Sequence, residues 1–331
     1  MKAKKLFIHI LAVLISLPLI GTVAQAATIE VLETFDYPGE GNATLPQKIS
    51  DHGVIVGVVI DINGVAKGFF RARNGRFSDA FVEPNDTGNL TQGRGINNRR
   101  TICGEYLNGS DGTFHGYFLS HTVFTEFDVA DALDTVPLGI NNAGDFVGNV
   151  ILSDGTSPAF VSLSGAITEF AVPDATTTLA YQINTSDQIA GYYIDAAAVT
   201  HGYLRESDGT LTFPIDPSDS TGTILFGNND SNWVVGRYAD GAGVTHGLFF
   251  TTPGDFVTFD FPDSTFTSLN GINQQGFICG RYVDAAGITH GFLAKVNPNA
   301  TSEPNRNNLP LAPVKPAQPS LETLRPGAPA L

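Results

Sequence analysis

Four histidines in this chain share one local context: His115-Gly116-Tyr117, His201-Gly202-Tyr203, His246-Gly247-Leu248 and His290-Gly291-Phe292. A recurring imidazole can ligate a metal, transfer a proton, or serve as a structural part made once per repeat. The facing residues discriminate among these roles. Folding the chain back about the short turn after each histidine sets His201 opposite Asp216 and His246 opposite Asp260, and a similar fold sets His115 opposite Asp128. Two further copies carry Lys67 and Pro158 instead, and their facing positions are Val82 and Ala171, so the aspartate disappears with the histidine. His290 finds an aspartate only if Asp36 arrives from the amino-terminal end. This co-occurrence predicts four structural His–Asp pairs, each worth roughly 0.2–1 kcal/mol when exposed. A shared metal centre fails on distance. Strands lie about 4.8 Å apart, which puts histidines of neighbouring units roughly 15 Å from one another, whereas zinc ligands sit about 2 Å from the ion.

The elements that position these residues repeat. A turn, two apolar residues and a glycine end at Gly57, Gly104, Gly148, Gly191, Gly236 and Gly280, with spacings of 47, 44, 43, 45 and 44 residues. Each unit divides into four short strand-like runs separated by turn chemistry, as in Asn74-Gly75, Ser164-Gly165 and Asp208-Gly209. Four strands at a period near 44 predict one blade of a β-propeller. The sixth copy stops after its third strand, and Thr34-Phe35-Asp36-Tyr37-Pro38 matches the missing fourth. The expected fold is all-β: a six-bladed β-propeller of four-stranded antiparallel blades across residues 27–296, closed by an N-terminal strand that completes the last blade. An N-terminal strand of this kind leaves no open gap in the ring.

Residues 1–26 read as a signal peptide, with Lys2, Lys4 and Lys5, an apolar stretch from Leu6 to Ile20, and a small-x-small cleavage pattern at Ala24-Gln25-Ala26. A secreted or periplasmic location follows. No later stretch is apolar and long enough to insert in a membrane. Residues 297–331 hold eight of the 19 prolines and read as an unfolded tail. Removing the leader leaves 15 basic against 33 acidic residues, a formal charge of −18, the wrong sign for a nucleic-acid partner. Cys103 and Cys279 occupy one repeat position shared with Val56, Val147, Ala190 and Val235. Their separation should be too great for a disulfide, and both are expected free and buried.

The repeated pattern INxxGxxVGxYxDxxGxxHGFL, followed by FxxFDxPD, resembles the HAF family of extracellular repeats across all six copies. That resemblance implies an exported propeller-like protein and brings no catalytic residues. Candidate ligand contacts are Arg237 and Arg281, charged where other copies have Val58, Glu105, Asn149 or Tyr192, together with the turn carboxylates Asp195, Asp240 and Asp284. Clustered loop carboxylates also suit a hard cation, and Asn108 with Asp111 is the candidate Ca2+ position; no other cofactor is expected. Nothing matches GxSxG, HExxH or a phosphate-binding loop. The reading is a monomeric binding or scaffold module for a protein or glycan. A hydrolase or lyase working at one mouth of the ring is the alternative, which would require unlike polar residues to converge there.

Overall fold

The computed structural model describes residues 27–39 and 43–297; the leader and most of the proline-rich segment lie outside the described residues. Twenty-three strands and no helix form the described part. β1 is Thr28–Phe35; β2 (Ala43–Ile49), β3 (Ile55–Ile60) and β4 (Ala66–Arg71) follow as a meander. Three further meanders each have four strands: β5 (Thr91–Ile96) to β8 (Val123–Phe127) through β6 (Thr101–Asn108) and β7 (Thr113–Ser120); β9 (Ala132–Ile140) to β12 (Ala166–Phe170) through β10 (Phe146–Leu152) and β11 (Ala159–Leu163); and β13 (Thr177–Ile183) to β16 (Leu211–Ile215) through β14 (Ile189–Ile194) and β15 (Thr200–Arg205). β17 (Ser220–Asn228), β18 (Val234–Asp240), β19 (Thr245–Phe250) and β20 (Val257–Phe259) form another. β21 (Phe266–Ile272), β22 (Phe277–Val283) and β23 (Thr289–Asn297) come last, and β1 pairs antiparallel with β23 from Thr28↔Asn297 to Phe35↔Gly291. The arrangement is that of a β-propeller with four-stranded blades.

Burial follows position within a blade. The innermost strands are buried on both faces, all six residues of β5 and all seven of β2, because each is flanked by neighbouring blades. The outer strand β12 is exposed along most of its length. Two side chains fix the path in most units. After the inner strand, an asparagine Oδ1 accepts from the amides two and four residues on, as Asn229 does from Ser231 at 3.0 Å and Trp233 at 3.1 Å, which makes the tight turn. In the first unit Ser50 Oγ stands for the asparagine and accepts from the Val54 amide at 3.2 Å. Before the inner strand, a buried threonine latches the incoming chain: Thr135, Thr178 and Thr267 Oγ1 accept from the amides of Val129, Val172 and Phe261 at 3.0, 3.1 and 2.9 Å. Before β17 the latched position is Pro217, which has no amide N–H, so Thr223 bonds Ser220 instead.

The first unit departs from expectation. Its fourth run reaches β4 only through single bridges, Gly68↔Phe81 and Arg71↔Phe77. Ser78 interrupts the ladder by turning its own Oγ onto the Phe70 amide at 3.1 Å, and the Phe81 ring fills the space over Gly68. The core is a series of layers between successive sheets. Ala190 and Leu204 meet Leu225 and Leu248 in one, while Phe35, Ile49, Ile55 and Cys279 join β1, β2, β3 and β22 in another. Cys103 and Cys279 are free and buried. Among the described residues, no helix is long and apolar enough to cross a membrane.

Candidate functional site

The hairpin registers bring every expected histidine to its aspartate. His115 Nδ1 lies 2.8 Å from Asp128, His201 2.6 Å from Asp216, His246 2.7 Å from Asp260 and His290 2.9 Å from Asp36. Two further partners of each imidazole leave no mark in the sequence. Each Nε2 faces a second carboxylate at 3.4 Å: Asp111, Asp195, Asp240 and Asp284 respectively. Each ring also stacks on the tyrosine directly across the ladder, Tyr106, Tyr193, Tyr238 or Tyr282, with centroids 5.0–5.4 Å apart. Burial pulls these imidazoles down, but hydrogen bonds and charge from the two flanking carboxylates outweigh it, so all four lie above the ordinary histidine value. A bracketed imidazolium donates from both nitrogens, which suits a clasp better than a base awaiting a proton.

The turn carboxylates proposed as ligand contacts are engaged in these brackets. Asp195 Oδ1 accepts from the Ala197 and Val199 amides, both at 2.8 Å, and Asp240 and Asp284 accept from their own turns in the same way. At the Ca2+ candidate, Asn108 Nδ2 donates to Asp111 Oδ2 at 2.9 Å, and the Thr113 amide and hydroxyl occupy Asp111 Oδ1. Among the described residues, the ligating atoms that lie near one another are those of His115, Glu126 and Asp128, all within 4.8 Å, but His115 Nδ1 is already committed to Asp128.

Unlike residues gather on the axis instead. A β-bulge interrupts each inner strand at one offset, and the extra residues are Gln47, Arg94, Leu138, Tyr181, Phe226 and Asn270, all buried. Beside the first bulge, Lys48 reaches across the interior. Its Nζ donates to Phe226 O at 2.6 Å and Asn270 O at 3.4 Å, and stands 5.5 Å from the centre of the Tyr181 ring. Burial lowers its pKa to about 7. Arg94 holds Glu105 through Nη2 at 2.7 Å and Nε at 2.8 Å, with both side chains out of water. Arg237 and Arg281 place their guanidinium carbons 5.2 and 5.4 Å from the centre of the Phe266 ring. Burial, and then the charge of Arg237, lower the Arg281 pKa to about 9. The axis therefore carries four cations and the carboxylate of Glu105. Alternation could not reveal Lys48 or Arg94, but a charge inside Pro46-Gln47-Lys48-Ile49 or Gly93-Arg94-Gly95 is a readable anomaly in a strand buried on both faces.

At the end opposite the brackets, amides link unit to unit. Asn97, Asn141, Asn184 and Asn229 Nδ2 each donate to the carbonyl of the next asparagine in the series, and Asn273 donates to Ser50 O at 3.1 Å. Inside this belt lies a cup open to solvent, lined by the ends of β2, β5, β9, β13, β17 and β21. Asp51, Asn98, Asn142, Thr185 and Gln274 contribute to its wall, and so does Asn228, whose buried Oδ1 has no partner.

No family model matches the chain, and no curated protein matches it. Solved structures do. The chain is similar to a putative TolB from Agrobacterium tumefaciens at 14% identity and TM-score 0.53, over 83% of this chain and 99% of that one. It is similar to an Aleuria aurantia lectin variant in complex with Fucalpha1-6GlcNAc at 10% identity and TM-score 0.51, over 77% and 94% of the two chains. A variant of AofleA from Arthrobotrys oligospora matches at 10% identity and TM-score 0.51, over 81% and 86%. At these identities the likeness establishes the propeller fold alone.

Proposed function

We propose that this chain is an exported six-bladed propeller, closed by its N-terminal strand, that binds a glycan in the amide-lined cup at one end of the axis. Support for closure comes from the contacts between the last inner strand and the first. A Cβ added to Gly271 would stand 2.9 Å from Lys48 Cα. The Gln274 amide donates to Asp51 Oδ1 at 2.9 Å, and His290 meets Asp36 across the β1–β23 pair. The HAF-like repeat, the leader at residues 1–26 and a monomeric state belong to the same reading. The observation that carries the binding role is Asn228 Oδ1, a buried acceptor without a donor on the wall of a polar cup. Concave sites with a few convergent polar groups are where ligands bind, and an orphaned buried acceptor costs about 1–3 kcal/mol until a donor reaches it. Sugar hydroxyls supply such donors, and one structural neighbour is a lectin in complex with a fucosylated disaccharide.

The enzyme alternative required unlike polar groups to converge, and they do converge on the axis. Glu105 is tied to Arg94, however, and Lys48 to two carbonyls, which leaves neither poised as acid or base. A glycan array probed with the secreted chain, followed by titration of the best binder, tests the proposal. Asn228→Leu should weaken binding at least tenfold; it also removes the donor to the Gln188 carbonyl at 2.9 Å and lowers the unfolding midpoint, so affinities are compared at a temperature where parent and variant are both fully folded. No glycan bound, or equal affinity in the variant, rejects it; cleavage of the bound glycan during incubation favours the enzyme.

A further inference from the structure

The last residue of each inner strand lines the amide cup, and five of these six residues are isoleucine: Ile49, Ile96, Ile140, Ile183 and Ile272. The sixth is Asn228. Its Nδ2 donates to Gln188 O at 2.9 Å, which fixes the orientation of the amide and leaves Oδ1 buried without a donor. The isoleucines pack between blades and keep only a sliver of surface open, enough for a methyl group and too little for a whole sugar face. Beneath the ring the bulge side chains are buried, and Lys48 crosses the axis to the Phe226 and Asn270 carbonyls. The cup is therefore blind and receives a chain end or a substituent, not a threaded polymer. Around its rim, side chains of Asn98, Asn142, Asp230, Gln274 and Asp51 accept from the backbone amide one unit back, at 2.8–3.1 Å. Thr185 turns its hydroxyl to Asp230 instead, so among the described residues the Asn142 amide has no such acceptor.

We propose that the cup selects an acetamido sugar, seating the N-acetyl group of a terminal residue against the isoleucine ring. This rests on the glycan reading above and names its ligand class. An acetamido group joins a methyl, an N–H and a carbonyl in one planar unit. The methyl meets isoleucine, where removing apolar surface from water is favourable. The N–H is a donor for Asn228 Oδ1, an acceptor that lacks one, and the carbonyl is an acceptor for the Asn142 amide on the same cup wall. A plain hexose brings a hydroxyl to the place of the methyl. A deoxy sugar brings a methyl with no N–H beside it. A site built to hydrogen-bond a particular group discriminates strongly against an analogue that lacks it, because the buried partner is then left unpaired. With one asparagine among five isoleucines, a single wall of the cup offers that acceptor, and the group has one orientation.

The test is isothermal titration of the full secreted chain with N-acetylglucosamine, N-acetylgalactosamine, glucose, galactose and fucose as separate arms. At least one acetamido sugar should bind at one per chain, and at least tenfold more tightly than its parent hexose or fucose. Asn228→Ile completes the isoleucine ring and should abolish that margin. It also gives up the bond to Gln188, so it is compared with the parent at a temperature where both are folded. The comparison among sugars uses the parent alone and stands even if the variant fails to fold. A hexose or fucose bound as tightly as the acetamido sugars overturns the ligand class while leaving the cup a glycan site, and so does an undiminished margin in the variant. No binding by either acetamido sugar also overturns it, and the glycan array then decides whether the cup falls with it.

Discussion

Lys48→Met probes the axis most directly. Burial holds the Lys48 ammonium to about 7 in the fold, against 10.5 for an unperturbed lysine. Below pH 7 both folded and unfolded chains carry the proton, and the buried charge costs the fold on the order of 4–5 kcal/mol, at about 1.4 kcal/mol per unit of separation. Above pH 7 the native state releases its proton while the unfolded chain keeps it, so the unfolded state binds more protons and stability rises with pH. Integrated from pH 7 to pH 8.5, that recovery is about 1.5 kcal/mol. Methionine keeps the length of the side chain and removes the charge, but it leaves the Phe226 and Asn270 carbonyls without a donor, at about 1–3 kcal/mol each. These terms oppose each other at neutral pH, so a single measurement decides nothing and the pH trend decides everything. Urea midpoints of parent and variant, taken in half-unit steps from pH 7 to pH 8.5, should show the parent gaining about 1.5 kcal/mol on the variant. Histidines and thiols common to both chains cancel in the difference. Two parallel curves would refute a depressed Lys48 and with it the account of a desolvated axis.

The brackets, the joint and the thiols each give a further check. His201→Ala and His290→Ala should each lose about 1–2 kcal/mol at pH 6. Because the folded imidazoles lie above their ordinary value, the contribution is full below about pH 6.5 and disappears as pH rises through the raised value; a parent advantage that grows from pH 6 to pH 9 would contradict the bracket charges. Gly271→Ala would bring a methyl to 2.9 Å from Lys48 Cα and 3.1 Å from Cys279 Sγ, and should lower stability by about 1–3 kcal/mol in urea titrations; an unchanged midpoint would argue against contact between the last inner strand and the first. Burial pushes the Cys103 and Cys279 thiols up to about 12, so the native chain should leave a disulfide reagent unreacted and release two equivalents once unfolded, whereas one fast thiol in the native state would place a cysteine at the surface.

The architecture was legible because it rests on features with a short sequence period. Turn asparagines, the HisGly step and the repeated glycine each recur near every forty-fourth residue, and pairing follows from folding about two-residue turns. Even the loss of aspartate opposite Lys67 and Pro158 could be read as a fact about contact. In the fold, Lys67 instead comes within 3.9 Å of Asp61, a different partner for the same rim position. The second half of each bracket was harder to foresee. Asp195 and its counterparts are good turn residues whether or not an imidazole stands behind them, so their presence carries no information about Nε2. The axis was least legible, for a related reason. A strand buried on both faces has no alternation to mark which residue points inward, and a bulge displaces the side chains that follow without any compositional trace. Gln47, Arg94, Leu138, Tyr181, Phe226 and Asn270 share one offset, yet they are amide, cation, aliphatic and aromatic in turn. Selection for a common scaffold acts on the rim, where every blade must satisfy the same geometry. On the axis the blades meet one another, each bulge contributes a different wall to a single interior, and equivalence would be of no use. Unlike residues at equivalent offsets are therefore where ligand specificity in this chain should be sought, and the buried cations found at and beside those bulges lead to the same place.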